Sequence, residues 1–496
     1  MRSDKYKKSE KKREGGFYTF TRFWAVVFFL VSAAFFGVIV YMNLLPVKYL
    51  CMAGGGEALL LVLLFPALFF RNFKKSRKIL CLILSLLVMA AYGVGAAYAM
   101  GTLDFLNKIT SRPAVQTVEF DVVVRADSGF EDGESIRGKT VQTSIDMDKL
   151  YSEAKNKLEE ELGVTYEMTE SLELLADGLL DQTYEAVFIS AANYKTLCEE
   201  REGFELDTKV IYRVKVEKEA AEIAKSVNVT EDPFNVYISG LDTRGTIDTE
   251  ARSDVNMIVT VNPKTHRILL TSLPRDAYID LKSVQAKDKL THTGLFGIEE
   301  TVGVAENLLG IDINYYGKVN YTTVTKLVDA IGGIDVVSDY TFDTHGMGVY
   351  YIFYEGENHL DGSRALAFAR ERKSFADGDL QRNRNQQIVL EGILKKALSS
   401  ATILTKYTSI LNAVEENVDL NLSPEDIQKL VKMQLDGMPD WKIERQSIIG
   451  VSDADVCYSE GNQVRSIVIL DQQSIIEALD KIVEVMDDGG KKADAE

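Results

Sequence analysis

The residues of this chain best suited to chemistry are carboxylates and arginines at the ends of short apolar runs between positions 235 and 276. Asp242 and Arg244 follow the run NVYIS inside GLDTRG, where Gly240 and Gly245 let the backbone turn close to a ligand. Arg252 and Asp254 immediately precede VNMIVTVN, and Arg275 and Asp276 follow RILLTSLP. Two carboxylates brought close together repel unless a cation bridges them, and guanidinium groups pair bidentately with phosphate oxygens. The set therefore suits a divalent cation, magnesium or in its place manganese, and a phosphorylated ligand. Charge pairing among the same residues is the other reading.

A second basic cluster lies about a hundred positions on, in LDGSRALAFARERKSFADGDLQRNRNQQ. Arg370 and Arg372 are two apart, so they face the same way only if the helix carrying them ends there. Arg382 and Gln386, at i and i+4, share a face in the first turns of the next helix, where free backbone N–H groups also favour an anion. Asn and Gln rather than Glu interleave these arginines in an otherwise acidic chain, which points to a phosphate clamp.

The elements that position these groups follow from periodicity. NVYIS, VNMIVTVN and RILLTSLP are β-branched and of strand length. Pro263–His266 is a hairpin-length connection, so the second and third strands pair antiparallel and bring Asp254 next to Arg275. A first strand parallel to the third adds Asp242 and Arg244 to the same sheet edge. YTTVTKLVDAIGGIDVVSD reads as a helix closed by Gly332-Gly333 and followed by a strand. Ser423-Pro424-Glu425-Asp426 reads as a capped helix start.

Upstream, residues 23–45, 49–70 and 79–100 are apolar stretches of about the twenty residues needed to cross a bilayer. The basic head, 1–22, and RNFKKSRK at 71–78 belong in the cytoplasm by the positive-inside rule, which places everything after Thr102 outside the cell. No convincing cleavage site follows the first stretch. Glu57 within the second is costly there unless paired or near an interface. Residues 115–229 alternate strands with amphipathic helices and form a small accessory α/β domain; Leu150, Ala154, Leu158 and Leu162 mark one helix face. Pro233 marks the boundary to a domain over 233–480, and 486–496 reads as a disordered tail.

A chain of 496 residues with net charge -18 exceeds one ordinary domain and is a poor partner for nucleic acid. Cys51 and Cys81 lie in apolar segments, and Cys198 and Cys457 have no spacing that requires a bond or a zinc site. No Ser-His-Asp set or nucleophilic cysteine stands out; Lys289 and His292 in DKLTHTG are each placed to touch a ligand, although a lone histidine in a loop is more often a structural residue.

Taken together, GLDTRG, ARSDVNM, SLPRDAY, DKLTHTG, IGGIDV, LDGSRALAFARER and RNRNQQ resemble the LytR-CpsA-Psr family of cell-envelope proteins, and the three-helix start resembles its capsule-associated CpsA branch. The resemblance implies an α/β domain with a central mixed sheet flanked by helices, in which a polyprenyl pyrophosphate lies with its tail between sheet and helices. It further implies transfer of a glycan phosphate, capsular polysaccharide or similar, from that carrier to peptidoglycan at the membrane of a Gram-positive bacterium. On the matching positions, Asp242 and Asp254 would hold magnesium and serve the chemistry with Arg275. Arg275, Arg370, Arg372, Arg382 and Gln386 would bind the pyrophosphate, with Arg244 and Arg252 at further charged motif positions. Membrane lipids and other envelope assembly proteins are the further partners implied. Asn385, where many relatives carry Arg, and KLTHTG, where many carry KINAAY-like residues, depart from the common pattern and bear on the substrate. A lipid-binding regulator without turnover and a lipid pyrophosphatase are the alternatives.

Overall fold

The structure is a computed structural model. It describes residues 2–43, 45–110, 115–144, 149–169, 172–201, 203–219, 223–241, 251–345, 350–399, 406, 409–410, 413, 418–460 and 463–487. Asp242, Arg244 and most of the expected tail lie outside these. The chain divides into two compact units, one formed by residues 1–108 with 423–439 and the other by 109–422 with 440–496.

The first unit contains α1 (Arg2–Met42), α2 (Val47–Phe69) and α3 (Lys75–Thr110). Within them Gly16–Met42, Val47–Phe69 and Lys75–Ala97 are long and apolar enough to cross a membrane. These spans begin earlier than the expected 23–45, 49–70 and 79–100. The head is rich in Lys, Arg and Glu, which are good helix formers, so the first helix runs back through it without a break. Near the middle of α2, Glu57 accepts a hydrogen bond from Tyr92 of α3, and Tyr92 stacks on Phe35 of α1 with centroids 4.4 Å apart. The carboxylate thus sits in a helix–helix contact. The Ser423-capped helix Pro424–Gly437 also belongs to this unit: Lys48 pairs with Asp436 at 3.7 Å and Lys432 Nζ donates to Asn43 at 2.7 Å.

The second unit opens with the strands β1 (Val115–Arg125), β2 (Thr140–Ser144), β3 (Thr165–Thr169), β4 (Ala186–Ser190) and β5 (Thr208–Glu219), in the order β3-β2-β4-β1-β5. The helix α4 (Lys149–Leu162) buries Ala154, Leu158 and Leu162 against one face of the sheet. The other face is covered by α5 (Leu172–Leu180), α6 (Ala191–Glu200) and the short α7 (Phe204–Asp207). Asp121, fully buried on β1, is held by a bidentate pair with Arg213 of β5.

The larger part of the unit is built on β6 (Phe234–Leu241), β7 (Ser253–Asn262) and β8 (Arg267–Leu273). β7 is central and antiparallel to both neighbours, so β6 and β8 run parallel. Asn262 Oδ1 accepts the amides of Lys264 and Thr265, and His266 takes φ 52° to close the hairpin. After the hairpin β9 (Tyr278–Leu281) and β10 (Ala286–Lys289), β11 (Tyr315–Asn320) adds parallel to β6. The helices α8 (Ile298–Leu309) and α9 (Tyr321–Ile331) flank it in sequence, α9 ending at Gly332 with φ 85°. The ladders β12 (Ile334–Ser338) with β15 (Gly356–Leu360) and β13 (Phe342–Asp343) with β14 (Ile352–Phe353) lead to α10 (Gly362–Arg370) and α11 (Gly378–Ala397). β16 (Val418–Leu420) and β17 (Lys442–Ser447) complete a mixed six-stranded sheet, β16-β11-β6-β7-β8-β17. The ribbon β18 (Gly450–Cys457) with β19 (Gln463–Leu470) precedes the helix Gln472–Met486.

Both faces of the sheet are covered, which is why its strands read as nearly unbroken apolar runs. Tyr237, Ile258 and Leu269 pack toward α8 and the last helix, while Met257, Val259, Ile268 and Leu270 face Leu390, Leu394 and Leu398 of α11. Cys198 and Cys457 are not joined in a disulfide, and burial pushes the Cys457 thiol up to about 12.

Candidate active site at the sheet end

β7 starts where β8 ends, so Asp254 and Arg275 meet at one end of the sheet. Arg275 Nη1 donates to Asp254 Oδ2 at 2.8 Å, and the Thr291 hydroxyl donates to Oδ1 at 3.0 Å. Asp276 lies 3.6 Å from Arg275 Nε and 3.4 Å from Lys289 Nζ. The strands must approach closely to build this end: a Cβ on Gly240 would lie 2.5 Å from Val255 Cβ. Gly294 does the same for the 3-10 helix Leu290–Phe296 that carries Thr291, since a Cβ there would lie 2.2 Å from the carbonyl oxygen of Ala251.

The second wall comes from α10 and α11. α10 stops at Arg370 and Glu371 is extended (φ -65°, ψ 131°), so Arg370 and Arg372 both line the same cavity. Arg370 lies 4.1 Å over the Tyr321 ring, a cation–π contact that holds the guanidinium in place. Arg382 and Gln386 reach the cavity from successive turns of α11.

Arg382 is the most unusual group in the molecule. Its side chain is 8% exposed, and Nε and Nη2 make no hydrogen bond among the described residues. Nη2 lies 3.0 Å from Asp379 Oδ1 but without hydrogen-bond alignment, so the pair attracts as charges and leaves the donors unsatisfied. Burial lowers the pKa of Arg382, and neighbouring Arg275 lowers it further against the pull of Asp379 and Asp254. Burial acts on Arg275 in the same direction, but Asp254, Asp276 and Asp379 outweigh it and hold its pKa above the usual value. The Nε of Arg275 also lacks a hydrogen bond. Desolvated donors without acceptors are costly in a folded protein, and an anion is what satisfies them.

Behind this polar mouth the cavity is apolar. It has a volume of about 350 Å³ and runs between Ile238, Val255 and Met257 of the sheet and Val389, Leu390 and Ile393 of α11. That size and lining suit a greasy ligand with an anionic head.

Arg252, placed by its motif with the charged site positions, does not line the cavity; its Nη2 lies 3.5 Å from Glu460. Glu460 belongs to a buried cluster in which His292 Nδ1 lies 2.6 Å from Asp288 and Nε2 lies 3.5 Å from Glu460. His292 is thus a structural residue beneath the 3-10 helix. Asp242 and Arg244 lie outside the described residues, which contain no group of three or more candidate metal ligands. Asp254 nevertheless fits magnesium: each oxygen accepts one bond and keeps a free lone pair, and this ion needs only one or two carboxylates when phosphates and water complete its shell. Thr291, Asp379, Tyr321 and Glu371 are site neighbours that sequence reasoning missed. Each lies within a segment already singled out, Thr291 in DKLTHTG, Glu371 and Asp379 beside the flagged arginines and Tyr321 at the head of YTTVTKLVDAIGGIDVVSD, and Asp379 had the added signal of its i,i+3 spacing to Arg382.

A sequence model of the LytR_cpsA_psr family matches residues 200–480, more than half of the chain and the whole of this site. The chain belongs to that family. Among its relatives, a polyisoprenyl-teichoic acid–peptidoglycan teichoic acid transferase TagU of Bacillus anthracis is 36% identical over 234 residues, covering 46% of this chain and 75% of the relative. A TagU of the same description from Enterococcus faecalis is 37% identical over 203 residues, 40% of this chain and 65% of the relative. Among solved structures, Bacillus subtilis TagV superposes with a TM-score of 0.44 at 28% identity, covering 52% of this family member and 98% of TagV.

Proposed function

We propose that this protein is a membrane-anchored transferase that moves a glycopolymer, together with a phosphate, from a polyprenyl-pyrophosphate carrier to peptidoglycan. The family and the transferase names of its relatives support the reaction class. The observation that carries the reading is the buried Arg382 and the half-buried Arg275, each with a buried, unsatisfied Nε donor, at the mouth of an apolar cavity. A pyrophosphate supplies the missing acceptors, and its polyprenyl tail fills the space behind.

In this reading Arg370, Arg372, Arg382 and Gln386 hold the pyrophosphate and Arg275 neutralises charge as it develops. A hydroxyl of the wall glycan attacks the glycan-bearing phosphorus; the bond to the bridging oxygen breaks, polyprenyl phosphate leaves, and the hydroxyl proton passes to a base. Catalysis is then mainly positioning and electrostatics. Mg2+, held by Asp254 together with Asp242, would supply further positive charge against the phosphate oxygens. The basic segments flanking the apolar spans support an amino terminus in the cytoplasm and the second unit on the outer face of the membrane, and the family resemblance supports a Gram-positive bacterium as its source. A capsular polysaccharide is the glycan we favour, from the three-helix start.

The test is transfer of a radiolabelled glycan phosphate from a polyprenyl-pyrophosphate donor to peptidoglycan by the purified full chain with Mg2+. We expect labelled wall and its loss with Asp254→Ala or Arg275→Ala. No transfer, or variants equal to the unaltered protein, would sink the assignment; label released to water alone would make it a pyrophosphatase.

A further inference from the structure

The β13–β14 ribbon has a solvent face that packing does not explain. Along its two-residue second strand and the residues either side of it exposure alternates: Tyr350 (64% exposed), Ile352 (39%) and Tyr354 (62%) are open to solvent, while Phe353 is fully buried and Tyr351 half-buried. Phe353 and Phe342 turn inward onto Phe368, with Arg364 stacked over the Tyr351 and Phe353 rings. Exposure that alternates residue by residue, as it does on the two faces of an extended chain, groups the three open side chains on the solvent side of the ribbon. The outer face of a ribbon over a core ordinarily carries polar residues, and here it carries two tyrosines and an isoleucine. Asp343, the cross-strand partner of Ile352 and so on the same face, accepts the Tyr350 hydroxyl at 3.0 Å.

The ribbon is tied to the arginine wall. Glu371, 1% exposed, lies between Arg370 and Arg372 in sequence. Its two oxygens accept the amide of His345 at 2.7 Å, just beyond β13, and that of Ser374 at 3.1 Å. The Ser374 hydroxyl in turn donates to the carbonyl of Asp343. The carboxylate that sets the backbone between the two cavity-lining arginines is therefore the same one that anchors the ribbon.

We propose that the outer face of this ribbon, Tyr350, Ile352 and Tyr354 with Asp343 alongside, is a sugar subsite for the glycan carried on the pyrophosphate. Flat exposed aromatic rings match the C–H face of a pyranose, and a carboxylate accepts from its hydroxyls. The occupant is the donor glycan rather than the wall acceptor, because the donor is covalently continuous with the phosphate that Arg370 and Arg372 hold. The proposal rests on the reading of the cavity as a pyrophosphate site.

Binding of the full chain in nanodiscs would be measured to three probes: bare polyprenyl pyrophosphate, the same lipid carrying a disaccharide, and soluble peptidoglycan fragments. The double change Tyr350→Ala with Tyr354→Ala should lower affinity for the disaccharide lipid about tenfold, leave the bare lipid and the melting temperature unchanged, and be largely reversed by Phe at both positions. An equal loss for both lipids, no loss for either, or a loss confined to peptidoglycan fragments would overturn it. Failure of the unaltered protein to bind the bare lipid would instead overturn the underlying site reading.

Discussion

Thr291 donates its hydroxyl to Asp254 at 3.0 Å from the side opposite Arg275, so the carboxylate is oriented by a neutral donor and a cationic one together. Removing the neutral donor with Thr291→Val leaves the charge pair and frees the carboxylate to rotate. A hydrogen bond to a charged group contributes about 1.5–3 kcal/mol, so single-turnover transfer should slow by roughly tenfold or more while lipid affinity is retained. Thr291→Ser should restore the rate; a silent Thr291→Val would show that the bond has no part in orienting Asp254.

Arg382 predicts opposite effects on stability and binding. Its guanidinium is buried with two unsatisfied nitrogens, and its pKa is lowered chiefly by that burial. Arg382→Met removes a desolvated charge and keeps most of the volume, so the ligand-free protein should melt no lower than the unaltered one and plausibly higher. Affinity for polyprenyl pyrophosphate should fall by about tenfold to a hundredfold, the value of one charge-assisted bond. A variant that melts lower and binds equally well would reverse the assignment.

The apolar half of the cavity is tested separately from its mouth. Leu390→Trp places a large ring into a space of about 350 Å³ lined by Ile238, Met257 and Ile393. Long-chain polyprenyl pyrophosphate should lose binding while a short-chain prenyl pyrophosphate keeps it. Equal loss for both would mean the tail does not occupy this space.

The cluster beneath the 3-10 helix makes a prediction about pH. Burial would raise the Asp288 pKa, but His292 and Ser459 outweigh it and hold it below the ordinary value; Arg465 and His292 do the same for Glu460. Carboxylates depressed in the folded state contribute stability that is complete above their unfolded pKa, about 4, and lost as pH falls through the folded values. Melting temperature should therefore fall progressively as pH is lowered below about 4, and Asp288→Asn should flatten that slope. Parallel curves for the two proteins would exclude the cluster as its source.

Much of the arrangement was legible in the residues because it is local. Run length and the Pro263–His266 turn specify the β7–β8 hairpin, and the hairpin alone makes Asp254 and Arg275 neighbours. The direction of Arg370 and Arg372 follows from where α10 must stop. Contacts set by distant chain were not legible. Arg252 points to Glu460, more than two hundred positions away, and nothing in ARSDVNM announces it. Asp379 is a different case: it pairs with Arg382 at i and i+3 on one helix, a local relation that its reading as a helix-start acid passed over. The early starts of the membrane helices were missed because hydropathy marks apolar content, whereas the helix continues through charged residues that are good helix formers.

The helix Pro424–Gly437 groups with α1, α2 and α3 although more than three hundred residues separate it from them. The three long helices are made before the partner they pack with, so the intervening chain must be synthesised, at a pace of about 5–20 residues per second, before the two can meet. A soluble fragment cut after α3 would still carry that helix, stripped of the surface it packs on.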